Sequence, residues 1–220
     1  MSDYPMLISN KLHSFRNFGQ QKYNYLTDSY HQFNYLCTVS LNWKYMHPLE
    51  LFKYCPKCGS SHFEIHNEKS KHCADCGFTY YFNSSAATVA FILNHRNELL
   101  VCRRGKEPAK GTLDLPGGFI DMHETGEEGV AREVKEETGL AVTEARYLFS
   151  LPNTYLYLGF LVHTLDLFFR CTVAEDDRLL AMDDVAETGW QPLEQVNPEA
   201  FGLDSVREGV RRFLAAHRKA

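Results

Sequence analysis

Between Gly117 and Leu140 the chain places two adjacent glycines, seven carboxylates and one arginine within 24 residues, and no other stretch limits its fold so tightly. Thr125 and Glu128 stand at capping-box spacing and Gly139 supplies a C-terminal stop, so the spacing predicts a helix over Thr125–Thr138. On that helix Glu133, Glu136 and Glu137 are related by i, i+3 and i+4 and share a face, while Val130 and Val134 turn to another and pack inward. Three like charges on one face repel each other, and the helix dipole opposes the two nearest the C-terminal end. A cation resolves this. Arg132 answers one carboxylate, either Glu136 as its i+4 partner or Glu124 across the loop. The remaining charge suits a hard divalent ion such as Mg²⁺, which prefers carboxylate oxygens and keeps several waters. Gly117-Gly118 lets backbone pass close to the helix, so that the Gly117 carbonyl is available to complete a ligand shell. Carboxylate-bound metal beside a glycine-rich loop points to chemistry on diphosphates.

The residues Gly118, Glu124, Arg132, Glu133, Glu136, Glu137 and Gly139, with Val134 and Leu140 at aliphatic positions, fit the spacing G-x5-E-x7-R-E-U-x-E-E-x-G-U throughout. At about 7 % usage per letter, seven fixed letters coincide on the order of once in a million such chains, which disposes of a merely solvated acidic helix. The segment resembles the Nudix box, and the resemblance extends over about residues 86–215. It implies an α+β fold, an α/β/α sandwich around a mixed sheet, and hydrolysis of a nucleoside diphosphate linked to another group. Carried over position by position, Glu133 and Glu137 are implied as principal ligands of Mg²⁺ or Mn²⁺, joined by the Gly117 carbonyl. Glu136 is implied as a further ligand or as the general base, and Arg132 with Glu124 as the pair that orients loop and helix. The family's last acidic ligand, six positions before an aromatic, falls on Asp184 ahead of Trp190, with Asp183 and Glu187 as rivals.

Upstream, Cys55-Pro-Lys-Cys58 and Cys73-Ala-Asp-Cys76 are each followed by a glycine. Paired CxxC in a chain showing no export signal reads as metal before disulfide. Four thiolates form a closed tetrahedral set for Zn²⁺, a structural site with no open position, and His62, His66 and His72 are surplus to it. Some 30 residues cannot build a core alone, so the metal replaces one. A zinc ribbon directly before a Nudix domain is similar to the NADH pyrophosphatase branch. That branch carries S-Q-P-W-P-F-P-x-S downstream of the box, shaping the base and nicotinamide pocket. Here the corresponding run is Ser150-Leu-Pro-Asn-Thr-Tyr-Leu-Tyr-Leu158, matching at Ser150, Pro152 and the aromatic Tyr155, but not at Asn153, Thr154, Leu156 or Leu158.

Residues 1–45 are of a different composition, with ten of the 29 aromatics, five asparagines, and neither helical nor strand periodicity. They are expected to be an extension outside the ribbon at 46–82 and the hydrolase domain at 83–220. Met46 is a candidate start, which the intact mass of the natively expressed protein decides. Beyond the box, strands are expected over 86–93, 99–103, 146–150, 155–162 and 165–173, and a last helix over 205–217 with Ser205 and Glu208 as a second capping box. Cys37, Cys102 and Cys171 read as buried, and Arg207, Arg211, Arg212, Arg218 and Lys219 as a solvated face. Arg103-Arg104 reads either as a solvated strand end or as a contact to phosphate or a ribose edge, and Tyr155 and Tyr157 as sheet-core packing with stacking on a base as the alternative.

No apolar run approaches the roughly 18 residues of a membrane span. Net charge is −5, which disfavours broad nucleic-acid binding. The partner that the resemblance implies is a small nucleotide of the NADH, NAD or ADP-ribose type, capped RNA being the one nucleic-acid exception, and the enzyme is expected to be cytoplasmic. A homodimer is a family expectation. The alternative is a Nudix module that senses a nucleotide or associates with RNA without cutting.

Overall fold

A computed structural model describes residues 47–174, 179 and 185–218; the 1–45 extension, Cys37, Asp183, Asp184 and Lys219 lie outside the described residues. Met46–Ala220 forms one compact unit. It opens with a three-stranded antiparallel ribbon, β1 (Phe63–Asn67), β2 (Ser70–Cys73) and β3 (Thr79–Tyr81). Both CxxCG turns close in the same way. The Gly59 N–H donates to the Cys55 carbonyl at 2.8 Å and the Gly77 N–H to the Cys73 carbonyl at 2.9 Å, with both glycines at positive φ. The ribbon's apolar interior is small, Cys55, Phe63 and Cys73 with Cys76 and Phe78 against them.

β4 (Ser85–Ile92) then pairs in parallel with β8 (Phe160–Val173), which pairs antiparallel with β7 (Val142–Tyr157), giving a mixed sheet ordered β4-β8-β7. A second sheet runs β6 (Leu113–Asp114), β5 (Glu98–Arg104), β9 (Val185–Pro192). Strand alternation divides the apolar residues between two helices. Ala90, Ile92, Leu100, Phe169 and Cys171 pack with Val130 and Val134 of α1 (Gly126–Thr138). Val89, Phe91, Leu99, Val101 and Phe168 pack with Val206, Val210 and Phe213 of α2 (Asp204–His217). The result is the expected α/β/α sandwich, and Cys102 and Cys171 are buried in it.

Two expectations fail locally. The run 155–162 is not one strand, because the chain reverses at Leu158-Gly159, both at positive φ, so that β7 and β8 form one long hairpin. A leucine in that conformation gives no turn signal. Ser205 does not cap α2 either. The N-cap is Leu203, which makes no side-chain bond, and the Ser205 hydroxyl donates instead to Asp166 of β8.

The ribbon rests on the tip of this hairpin. The Phe160 ring lies 5.9 Å from that of Phe52 and 6.0 Å from that of Phe82, and Phe82 meets His163 edge-on at 5.6 Å. Lys71, almost fully buried in β2, fixes Phe52 by donating to its carbonyl at 2.7 Å.

Candidate active site

Helix α1 is capped as its sequence requires. The Thr125 hydroxyl accepts from the Glu128 N–H, the Glu128 carboxylate accepts from the Thr125 N–H, and Gly139 closes the C-terminus in the left-handed region. The glycine loop reaches this helix by a strand-like seam along β4. The Ala90 N–H donates to the Pro116 carbonyl (2.8 Å), the Thr88 N–H to the Gly118 carbonyl (2.7 Å), and the Ile120 N–H to the Ala86 carbonyl (3.1 Å). Extended backbone alternates its polar groups, so residues 117 and 119 turn theirs away from β4, toward α1. The Gly117 N–H accordingly donates to the Glu137 carboxylate at 3.0 Å, and the Phe119 carbonyl accepts from Arg132 at 2.9 Å.

A side chain at either glycine of the loop would meet a neighbour, but of a different kind. A Cβ on Gly117 would lie 2.0 Å from the Thr88 carbonyl oxygen, whereas one on Gly118 would lie 2.6 Å from the Glu133 carboxylate. The first clash is with backbone, the second with the end of a side chain.

Arg132 does more than either role expected of it. Its guanidinium donates to both Glu124 oxygens (2.9 and 3.0 Å), to Glu133 (2.9 Å) and to Glu136 (3.0 Å), as well as to Phe119. The Glu124 carboxyl is thereby held below the usual carboxylate range. Burial pushes the Glu133 carboxyl up despite the adjacent arginine, the state of an acid partly stripped of water with too little positive charge to offset it. Glu133, Glu137 and the Gly117 carbonyl thus present hard oxygen donors from helix and loop, a set whose chemistry fits Mg²⁺ or Mn²⁺. Of the residues weighed for the last acidic ligand, Glu187 is described, and it forms an ion pair with Arg103 at 3.0 Å.

Beside the glutamates lies a cavity of about 500 Å³, within the range of small-molecule sites. Gly117, Gly118 and Glu137 form one side, and Arg103 and Arg104 another. Those arginines are not simply a solvated strand end. Arg103 donates to the Gly111 carbonyl at 2.8 Å, and Arg104 pairs with Asp114, whose carboxyl is nonetheless pushed up by burial. Tyr155 and Tyr157 line the cavity instead of packing in the sheet core, and burial raises the Tyr155 phenol. Asn153, Thr164 and Asp166 complete this wall from the β7–β8 hairpin. Asp166 carried a usable signal, an acid at the same strand parity as the core residue Phe168.

In the ribbon, the Sγ atoms of Cys55, Cys58, Cys73 and Cys76 all lie within 4.8 Å of one another. Cys55–Cys76 and Cys58–Cys73 are each 3.7 Å apart, far beyond a disulfide and close to the roughly 3.8 Å edge of a tetrahedron with Zn–S bonds of about 2.3 Å. His62 instead bonds Asp75 and His72 bonds Thr79. Arg207, Arg211 and Arg212 pair with Asp204, Glu199 and Glu208, as a solvated face does. Among the described residues no helix is long and apolar enough to cross a membrane.

The family described as the NUDIX domain matches residues 83–214. An NAD-capped RNA hydrolase NudC of Vibrio atlanticus (strain LGP32) is 33 % identical over 109 residues, 50 % of this chain and 40 % of that protein. The protein of that name from Haemophilus influenzae (strain PittGG) is 33 % identical over 120 residues, 52 % of this chain and 45 % of the relative. The chain therefore spans less than half the length of these curated relatives. A NUDIX hydrolase from Nitrosomonas europaea superposes with a TM-score of 0.62 at 22 % identity, over 76 % of this chain and 93 % of that one, which bears on the fold alone. The MutT protein of Methanosarcina mazei Go1 superposes with a TM-score of 0.50 at 25 % identity, over 62 % of this chain and 96 % of that one.

Proposed function

The chain belongs to the NUDIX family, and from that premise we propose that it hydrolyses the pyrophosphate bond of a nucleoside diphosphate derivative of the NADH, NAD or ADP-ribose type. The observation that carries this reading is the cavity whose wall is shared by the glycine loop, Glu137 and two arginines, since one side is suited to metal and the other to phosphate.

In this reading Glu133, Glu137 and the Gly117 carbonyl hold Mg²⁺ or Mn²⁺, and Asp184 is the candidate for the further acidic ligand. An ion held there would screen phosphate charge and lower the pKa of an attacking water. Glu136, about half exposed and within bonding distance of Arg132, either adds a ligand or takes the proton of that water. Arg132 and Glu124 fix the loop against the helix, which keeps the Gly117 carbonyl and the Glu133 carboxylate in register. Arg103 and Arg104 orient the diphosphate. The ribbon's four cysteines bind Zn²⁺ structurally, and 46–82 and 83–220 are the two domains of this reading, which also carries a cytoplasmic location. Because the relatives bear the name of an NAD-capped RNA hydrolase, capped RNA joins the candidate substrates.

The test is turnover of NADH, NAD, ADP-ribose and NAD-capped RNA by the zinc-loaded protein with Mg²⁺ or Mn²⁺, with products identified by mass. Glu137→Gln is expected to abolish turnover with the fold intact. Full activity in that variant would remove the mechanism.

A further inference from the structure

The β7–β8 wall of the cavity holds two side chains that neither the metal site nor phosphate binding uses. Asp166 is 4 % exposed and Asn153 is 6 % exposed, yet both line the cavity. In the hairpin register Asn153 faces Thr164 and Asp166 faces Leu151, so the amide and the carboxylate are diagonal neighbours on one face of the sheet. Thr164 donates to one Asp166 oxygen at 2.5 Å and Ser205 donates to the other. Each oxygen thus keeps acceptor capacity, because a carboxylate has about four lone-pair sites. The Asn153 side chain hydrogen-bonds to none of the described residues. Its amide is therefore available to bond whatever enters the cavity it lines.

We propose that Asn153 and Asp166 form a hydrogen-bonding subsite for a planar heterocycle carrying an NH₂ group beside an acceptor. The amide offers a donor and an acceptor side by side, the geometry by which asparagine reads adenine. The carboxylate only accepts, so it rewards an NH₂ and repels a carbonyl or carboxylate in its place. Tyr155, two residues along the same strand face from Asn153 and also on the cavity wall, supplies a ring on which such a heterocycle stacks. Two ends of a dinucleotide carry this chemistry, the adenine amine and the nicotinamide carboxamide. Asn153 is also a position where the chain departs from the downstream motif of the branch it resembles.

The inference rests on the nucleotide reading of the cavity, but binding tests it separately from cleavage. Affinities of the whole protein for ADP and IDP, and for nicotinamide mononucleotide and nicotinic acid mononucleotide, are measured by calorimetry. The wild type is expected to prefer the amino-bearing member of one pair by about tenfold or more, and that pair identifies the heterocycle. In Asp166→Asn the new amide donates to the carbonyl or carboxylate of the other member, so the preference falls to within about threefold as that member binds better. Asn153→Ala, which breaks no internal hydrogen bond, is expected to lose the preference too and serves if Asp166→Asn does not fold. Equal affinities within both pairs, no binding of any of the four, or a preference retained in the folded variants would overturn the proposal. A preference without cleavage of any nucleotide would overturn the hydrolase reading and leave this one standing.

Discussion

Gly117 and Gly118 are adjacent in sequence but differ in what surrounds them, and replacing each with alanine separates chemistry from folding. At Gly118 the added methyl lands 2.6 Å from the Glu133 carboxyl carbon. Ordinary contact is about 3.5 Å, so the carboxylate must retreat by roughly 1 Å. It is the end of a flexible side chain and can do so, losing at most its bond to Arg132, which limits the stability loss to about 1 kcal/mol. Misplacing a working group by about 1 Å costs on the order of 100-fold in rate, or about 2.7 kcal/mol of barrier. At Gly117 the methyl lands 2.0 Å from a backbone oxygen and the residue sits at φ 154°. The seam must open there, giving up the hydrogen bonds that flank it from Ala90 and Thr88 at about 1 kcal/mol each, with about 1–3 kcal/mol of backbone strain added. Gly117→Ala should therefore lose about 3–5 kcal/mol in urea unfolding. Gly118→Ala should unfold almost as the wild type while kcat/KM falls about 100-fold. Wild-type kcat/KM in Gly118→Ala, or equal stability losses in the two variants, would refute the reasoning.

Arg132→Lys keeps the charge but has three donors at one point in place of a fork that meets three carboxylates and a carbonyl, so stability should drop by about 2 kcal/mol in denaturant unfolding, and an unchanged midpoint would discount the cluster. Cys73→Ser should release the bound zinc and strip hydrogen-exchange protection from 55–81 while α1 retains its own; a ribbon that stays protected without metal would contradict its dependence on the four thiols. Gly209→Ala puts a methyl 2.3 Å from the Phe168 ring, and about 1–3 kcal/mol of overpacking should exceed the roughly 1 kcal/mol gained in helix propensity, lowering the melting temperature without changing KM.

What could be foreseen from the sequence was local and periodic. The α1 helix, its capping box and its glutamate face depend on spacings of three and four residues, which a linear string displays directly. The CxxCG turns are equally local, so the four thiols could be grouped before any fold was known. The hub role of Arg132 was only half visible, because the spacing gives Glu136 but not the Phe119 carbonyl, which faces the helix through the backbone alternation of the β4 seam. The cavity wall was less legible still. Asn153 and Asp166 meet only through the register of a hairpin whose turn falls on Leu158-Gly159, and nothing in a leucine announces a reversal. Ser205 shows the opposite error, a correct capping pattern overridden when a buried carboxylate offered its hydroxyl a partner.

The aromatic contact between ribbon and hairpin carries a thermodynamic obligation. Phe52 and Phe82 hold Phe160 at the tip of the same hairpin whose inner face supplies Asn153, Tyr155 and Asp166. Any factor by which zinc tightens nucleotide binding through that contact must equal the factor by which nucleotide tightens zinc binding, since the two share one thermodynamic cycle. The ribbon is then a second ligand site of the same machine, and a nucleotide titration can be read out in the escape of zinc.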